Sequence, residues 1–117
     1  MALDFTDSLD VLMKAEQMQL SNKLILQLKK DFARANVQIE ISIKDGFQLI
    51  RDSVREKVYF LLMERFDSYL NLLYAIDVSE HLFKNIQVTD AVEVSEQVSF
   101  LILKREFQKV WFKEKYS

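Results

Sequence analysis

The 117 residues include no cysteine and no proline, one glycine (Gly46) and one histidine (His81). Without cysteine, disulfide frameworks, thiolate zinc sites, iron–sulfur clusters and cysteine nucleophiles are excluded. A single histidine leaves histidine-rich metal centres and histidine relays without their parts. A single glycine excludes the phosphate-binding loops that need several. Without proline, nothing forces a kink or a cis bond. No uncharged apolar run approaches the roughly 20 residues that a membrane-spanning helix needs. The opening Met1-Ala2-Leu3-Asp4-Phe5-Thr6-Asp7 has neither the basic nor the apolar region of a secretory signal. The expected setting is cytoplasmic, with no membrane association.

What is present is a chain that is 50% hydrophobic and 29% charged, with 16 basic and 18 acidic side chains and a net charge of −2. A chain of this size buries roughly two-thirds of its extended surface on folding, enough for a core without staples. The net charge exerts no global pull toward nucleic acid or anionic lipid, but its distribution is uneven. Residues 1–20 hold four acids against one lysine, and residues 77–96 hold five acids against one lysine. Residues 104–115 reverse the sign, with Lys104, Arg105, Lys109, Lys113 and Lys115 against Glu106 and Glu114. A salt bridge from this basic tail to the acidic 77–96 stretch is the simplest use of both clusters.

The pattern of apolar residues predicts an all-α fold: three main helices, one short helix, and one extended segment. Residues 1–20 form either a short amphipathic helix carrying Leu9, Leu12 and Met13 or a tail, and residues 21–117 form a single helical domain. The first main helix starts at Ser21 as N-cap, with Leu20 stapled to Ile25. Leu24, Ile25, Leu28 and Phe32 form its apolar stripe, and it ends near Asn36. Val37-Gln38-Ile39-Glu40-Ile41-Ser42-Ile43 then alternates with period two, which favours an extended segment. A lone strand cannot satisfy its own backbone, so it pairs with the N-terminal segment, pairs with its copy in a second subunit, or lies on the helices as a connector.

The second main helix carries Phe47, Ile50, Val54, Val58, Leu61, Leu62, Phe66, Tyr69, Leu73 and Ile76. Unbroken from Gly46 to Ile76 it spans roughly 45 Å. Asp77-Val78-Ser79-Glu80 has capping-box form and opens a short helix over 79–84. Asp90 caps the third main helix, with Glu93 three residues on. That helix is apolar on two sides, which places it either inside a sandwich or against a second subunit. With so few helices to do the sandwiching, a homodimer through Phe100, Leu103, Phe107 and Trp111 is expected.

Three stretches resemble a group of small bacterial proteins, seen notably in Bacteroidetes-type genomes: Lys30–Val37, Leu72-Leu73-Tyr74-Ala75-Ile76-Asp77-Val78-Ser79-Glu80, and Ile102-Leu103-Lys104-Arg105-Glu106-Phe107-Gln108-Lys109-Val110. The resemblance covers roughly residues 22–113, with Ala75 where that pattern has arginine. It implies a helical fold and a bacterial cytoplasmic setting, and it carries no catalytic motif.

Three constellations bear on function. Glu64-x-x-Asp67 and Glu93-x-x-Glu96 each place two carboxylates on one helix face, the kind of set that binds magnesium in helical nucleotide pyrophosphohydrolases, although there the two motifs occur in the opposite order. The bland alternative is solvated helix charge. His81 lacks the Glu-x-x-His spacing of a di-iron bundle and reads as a surface or half-buried residue near a helix start. Lys104, Arg105, Lys109, Lys113 and Lys115 interleave with Phe107, Trp111, Phe112 and Tyr116, the composition of a nucleic-acid surface; cations at a helix C-terminus and aromatics at core spacing give the same pattern. The leading expectation is a non-catalytic helical module for protein interaction or self-association. A magnesium-dependent nucleotide hydrolase and a nucleic-acid-binding protein are the alternatives; no cofactor is expected, with magnesium entering only under the hydrolase reading.

Overall fold

In a computed structural model the described residues are 5–84, 86 and 90–116. Met1–Asp4, part of the stretch read above for a secretory signal, lies outside them. The described residues form six helices and no strand: α1 (Ser8–Gln17), α2 (Ser21–Arg34), α3 (Phe47–Glu64), α4 (Phe66–Ile76), α5 (Glu80–Lys84) and α6 (Ala91–Tyr116). None is long and apolar enough to cross a membrane. The all-α expectation holds.

α6 is the axis of the fold and packs against each of the other five helices. Its N-terminus is capped as the sequence indicates, with Glu93 N–H donating to Asp90 Oδ1 at 2.9 Å. Val94, Val98, Ile102, Leu103, Phe107, Val110 and Trp111 all lie in one continuous core. Ser95 and Ser99 are buried and turn their hydroxyls back onto the Val92 and Ser95 carbonyls at 2.7 and 2.6 Å, so small side chains sit in the packed seam without orphaned polar atoms.

With one glycine available, the helices end by other means. Gln19, Asn36 and Asp77 have φ of 60°, 58° and 65°, the left-handed region. After each, the next amide reaches back to a helix carbonyl: Leu20 to Ala15 at 2.7 Å, Val37 to Phe32 at 2.9 Å, Val78 to Leu73 at 3.0 Å. These are Schellman ends, and the residue that makes the bond is in each case a buried hydrophobe. Polar-then-apolar at 19–20, 36–37 and 77–78 therefore stops one element and pins the next segment to the core.

Several expectations change in detail. α2 begins at Ser21, but the capping residue is Leu20, with no side-chain cap bond; burying Leu20 takes precedence over a serine cap. α1 is ordered and capped by Asp7. It buries Val11, Leu12 and Ala15, while Met13 is exposed. Asp77 closes α4 and does not cap α5. The long helix is broken at Arg65, whose φ and ψ are −144° and 67°. A continuous helix would run the stripe Ile50, Val54, Val58, Leu61 straight on to position 65, carrying a guanidinium into the core. The break puts Arg65 at the surface and restarts the stripe with Tyr69, Leu72, Leu73 and Ile76. Phe66 and Leu62, assigned to the stripe by spacing, are exposed and half-buried.

Residues 37–42 form a connector without regular secondary structure, and Ile43 lies in the turn that follows. Val37 and Ile41 are buried, Ile39 is half-buried, and Gln38 and Glu40 face out, so the period of two is retained up to Ile43, which is exposed.

Candidate functional site

The most unusual chemistry lies where α2 crosses α6. Asp31 and Glu106 are both fully buried, and Lys109, one turn beyond Glu106, stands between them. Lys109 Nζ is 2.7 Å from Asp31 Oδ2 and 3.3 Å from Glu106 Oε2. The Gln27 amide donates to Asp31 Oδ2 at 3.0 Å, and Arg34 reaches Oδ1 at 3.4 Å. Neither oxygen of Glu106 receives a hydrogen bond of good geometry, the Lys109 contact being ionic proximity only. Burial, and then the adjacent Asp31, push the Glu106 carboxyl up to about 9, against the opposing pull of Lys109. Burial alone would also raise Asp31, but hydrogen bonds from Glu106, Lys109 and Gln27 outweigh it and hold Asp31 below its ordinary range. At neutral pH the cluster is therefore one carboxylate, Asp31, one neutral carboxyl, Glu106, and the Lys109 ammonium. Two buried carboxyls share one negative charge, and Lys109 balances it.

This arrangement holds α2 to α6; it is not open to a substrate. Lys109, with 20% of its side chain exposed, is the nearest of the three to solvent. Beside it a groove of about 430 Å³ runs between α2 and the end of α6, floored by Leu26 and Val110 and edged by Lys23, Lys30 and Lys113.

The paired carboxylates do not gather. The break at Arg65 leaves Glu64 at the end of α3 and Asp67 in the first turn of α4, so the i,i+3 geometry of one helix is lost. Glu93 and Glu96 lie on α6 beside a cavity of about 400 Å³ that Arg51 also lines, and Glu96 is paired with Arg55 at 3.2 Å. Among the described residues no three His, Cys, Asp or Glu side chains come together as a metal site. His81 is exposed on α5.

Of the basic tail, Lys104, Arg105 and Lys109 are half-buried, while Lys113 and Lys115 are exposed, as are Phe112 and Tyr116. Arg105 donates to the Asp77 carbonyl at 3.0 Å and to its carboxylate at 3.1 Å, the expected link to the acidic stretch. Lys109 belongs to the buried cluster, Lys104 lies over the Phe100 ring at 5.9 Å, and Lys115 lies over Trp111 at 4.8 Å. Lys113 borders the α2–α6 groove, and Glu114 is paired with Lys23. Trp111 and Phe107 are buried, so neither ring offers a face for a base to stack on.

The expected dimer face is likewise covered from within. Leu103 and Phe107 are 0% exposed and Trp111 is 8% exposed. The Phe5 ring meets Phe107 edge-on at 5.5 Å, α1 packs along α6, and Phe100 is half-buried beside Thr6, Ser8 and Leu9. The segment left undecided by sequence is the piece that completes the sandwich.

Large apolar side chains are exposed elsewhere. At the elbow between α3 and α4, Tyr59, Phe60, Met63 and Phe66 are 39%, 50%, 56% and 55% exposed, with Leu62 half-buried among them. Lys57 lies over the Phe60 ring at 5.8 Å, and Glu64, Arg65 and Asp67 surround the patch. Spacing had counted Phe66 as core. The readable signal was the six-residue apolar run Val58-Tyr59-Phe60-Leu61-Leu62-Met63, which has more apolar positions than one helix face can bury.

Compared with known proteins, the chain matches no family model, no curated protein and no solved structure.

Proposed function

We propose that the protein is a non-catalytic helical module that self-associates through the α3–α4 elbow. The supporting observation is the cluster of four large apolar side chains there, each more than a third exposed and within two turns of one another. Single exposed hydrophobes are ordinary, but a contiguous patch with a polar rim marks an interaction site. The rim balances its signs, with Lys57 and Arg65 against Glu64 and Asp67, as a surface must if it meets its own copy across a two-fold axis without like charges building up.

Sedimentation velocity on the wild type and on the double variant Phe60→Asp/Met63→Asp tests this. The wild type sediments as a dimer at micromolar concentrations, and the variant as a monomer with unchanged helical circular dichroism. A wild type that stays monomeric, or a variant that still dimerises, overturns the reading. Both side chains are at least half exposed, so the variant is expected to fold.

A further inference from the structure

The elbow alone falls short of a standard dimer interface. Four large side chains, each about half exposed, present on the order of 400 Å² between them, whereas a standard interface takes about 800 Å² from each partner. The adjoining surface is the connector that precedes α3. Between it and α3 runs a groove of about 350 Å³ lined by Ile39 and Phe60 together with Gln38, Glu40, Glu56 and Lys57, so the connector adjoins the elbow.

The connector has what a sheet edge has. Val37 N–H is used by the α2 end, and Ser42 is closed into a turn in which its N–H donates to Asp45 Oδ2 at 2.8 Å and its carbonyl accepts from Asp45 N–H at 3.0 Å. Between them, the N–H and C=O groups of Gln38, Ile39, Glu40 and Ile41 take no partner among the described residues. Residues 8–17 are helix and so offer no strand to pair with it. The stretch lies outside the helices, is rich in β-branched residues, alternates in burial and carries a row of unused backbone donors and acceptors.

Resting on the proposed self-association, we infer that residues 37–41 pair antiparallel with the same residues of a second copy, with the two-fold axis at Ile39. Strands related this way keep their buried faces on the same side only if the axis passes through a residue. Centring on Glu40 opposes the two Glu40 carboxylates. An Ile41 centre draws in Ser42 to Lys44, which the turn already holds, and a Gln38 centre draws in Asn36, whose φ of 58° is not extended. Ile39 meets its own copy in the remaining register, Val37 meets Ile41 of the partner subunit, and Gln38 faces Glu40 of the partner subunit. Gln38 can donate to that carboxylate on the exposed side of the ribbon. The occupant of this edge is thus a second copy of the chain, and the added strand supplies the area that the elbow lacks.

Two measurements on the full chain test this. Amide hydrogen exchange above and below the dissociation concentration should show protection gained by the dimer on alternate residues between Gln38 and Ile41. Gln38→Lys should tighten the dimer and Gln38→Glu loosen it, each by roughly two- to thirty-fold in Kd, because symmetry places the altered cross-strand pair twice. Gln38 is exposed, so neither change disturbs folding. A dimer that the Phe60→Asp/Met63→Asp variant disrupts, but whose 38–41 amides and Gln38 variants show no change, overturns the ribbon and leaves the elbow standing. A wild type that never dimerises overturns both.

Discussion

Asp31, Glu106 and Lys109 set how stability responds to pH. Glu106 titrates near 4.5 when unfolded and at about 9 in the fold. Between those values the folded state holds one more proton than the unfolded chain, so stability falls as pH rises through that window. Asp31 acts in the opposite sense: its depressed value adds stability above its ordinary 3.8, lost as pH falls through the folded value. Denaturant unfolding of the wild type at pH 5 and pH 8.5 should give the higher stability at pH 5. Glu106→Gln, which keeps the shape and a donor for Asp31, should largely remove that difference. A variant with the same slope would show that Glu106 is not the titrating group. Lys109→Ala leaves the Asp31 charge buried without its closest cation and should cost about 3 kcal/mol by the same assay.

Gln19 presents a second residue-level case, because it occupies the left-handed region without the local hydrogen bonding that helps Asn36 or Asp77 there. Gln19→Gly should raise stability by about 0.5–1 kcal/mol. Asp77→Gly relieves the same strain but loses the carboxylate contact to Arg105, so its gain should be smaller. Thermal unfolding of the two variants side by side ranks them.

At the scale of elements, caps and breaks decide the topology. Asp90 and Asp7 hold the first turns of α6 and α1 through side-chain acceptance at 2.9 Å in both cases. Replacing either by alanine should cost about 1 kcal/mol, measured as a shift in denaturation midpoint. Much at this scale was legible in the residues: the α2 stripe, the Asp90 cap, the short helix after Asp77 and the alternation at 37–41 all follow local patterns that the fold keeps. The break at Arg65 was not, because neither glycine nor proline marks it. The only trace is a charged residue in the register of a buried stripe, which is decisive once the core's position is known and ambiguous before. α1 was half legible, since its apolar spacing was visible but its Asp7 cap and the surface it would cover were not. That omission shifted the dimer face onto Leu103, Phe107 and Trp111, which α1 and Phe5 help to enclose.

At the scale of the whole molecule, the described residues close a core around α6 and leave Tyr59, Phe60, Met63 and Phe66 exposed at the elbow. The buried Asp31–Glu106–Lys109 cluster was invisible in sequence, because Glu106 and Lys109 read there as part of a charged tail; only the approach of α2 brings Asp31 to them from 75 residues away. The fold therefore draws Lys109 of the charged tail inward and leaves surplus hydrophobes exposed.

The most direct test is a dilution series of the isotope-labelled wild type followed by backbone amide NMR. Concentration-dependent shifts should be confined to residues 38–41 and 57–67. Shifts centred on Phe100, Leu103, Phe107 and Trp111, or none at any concentration up to millimolar, would contradict self-association through the α3–α4 face.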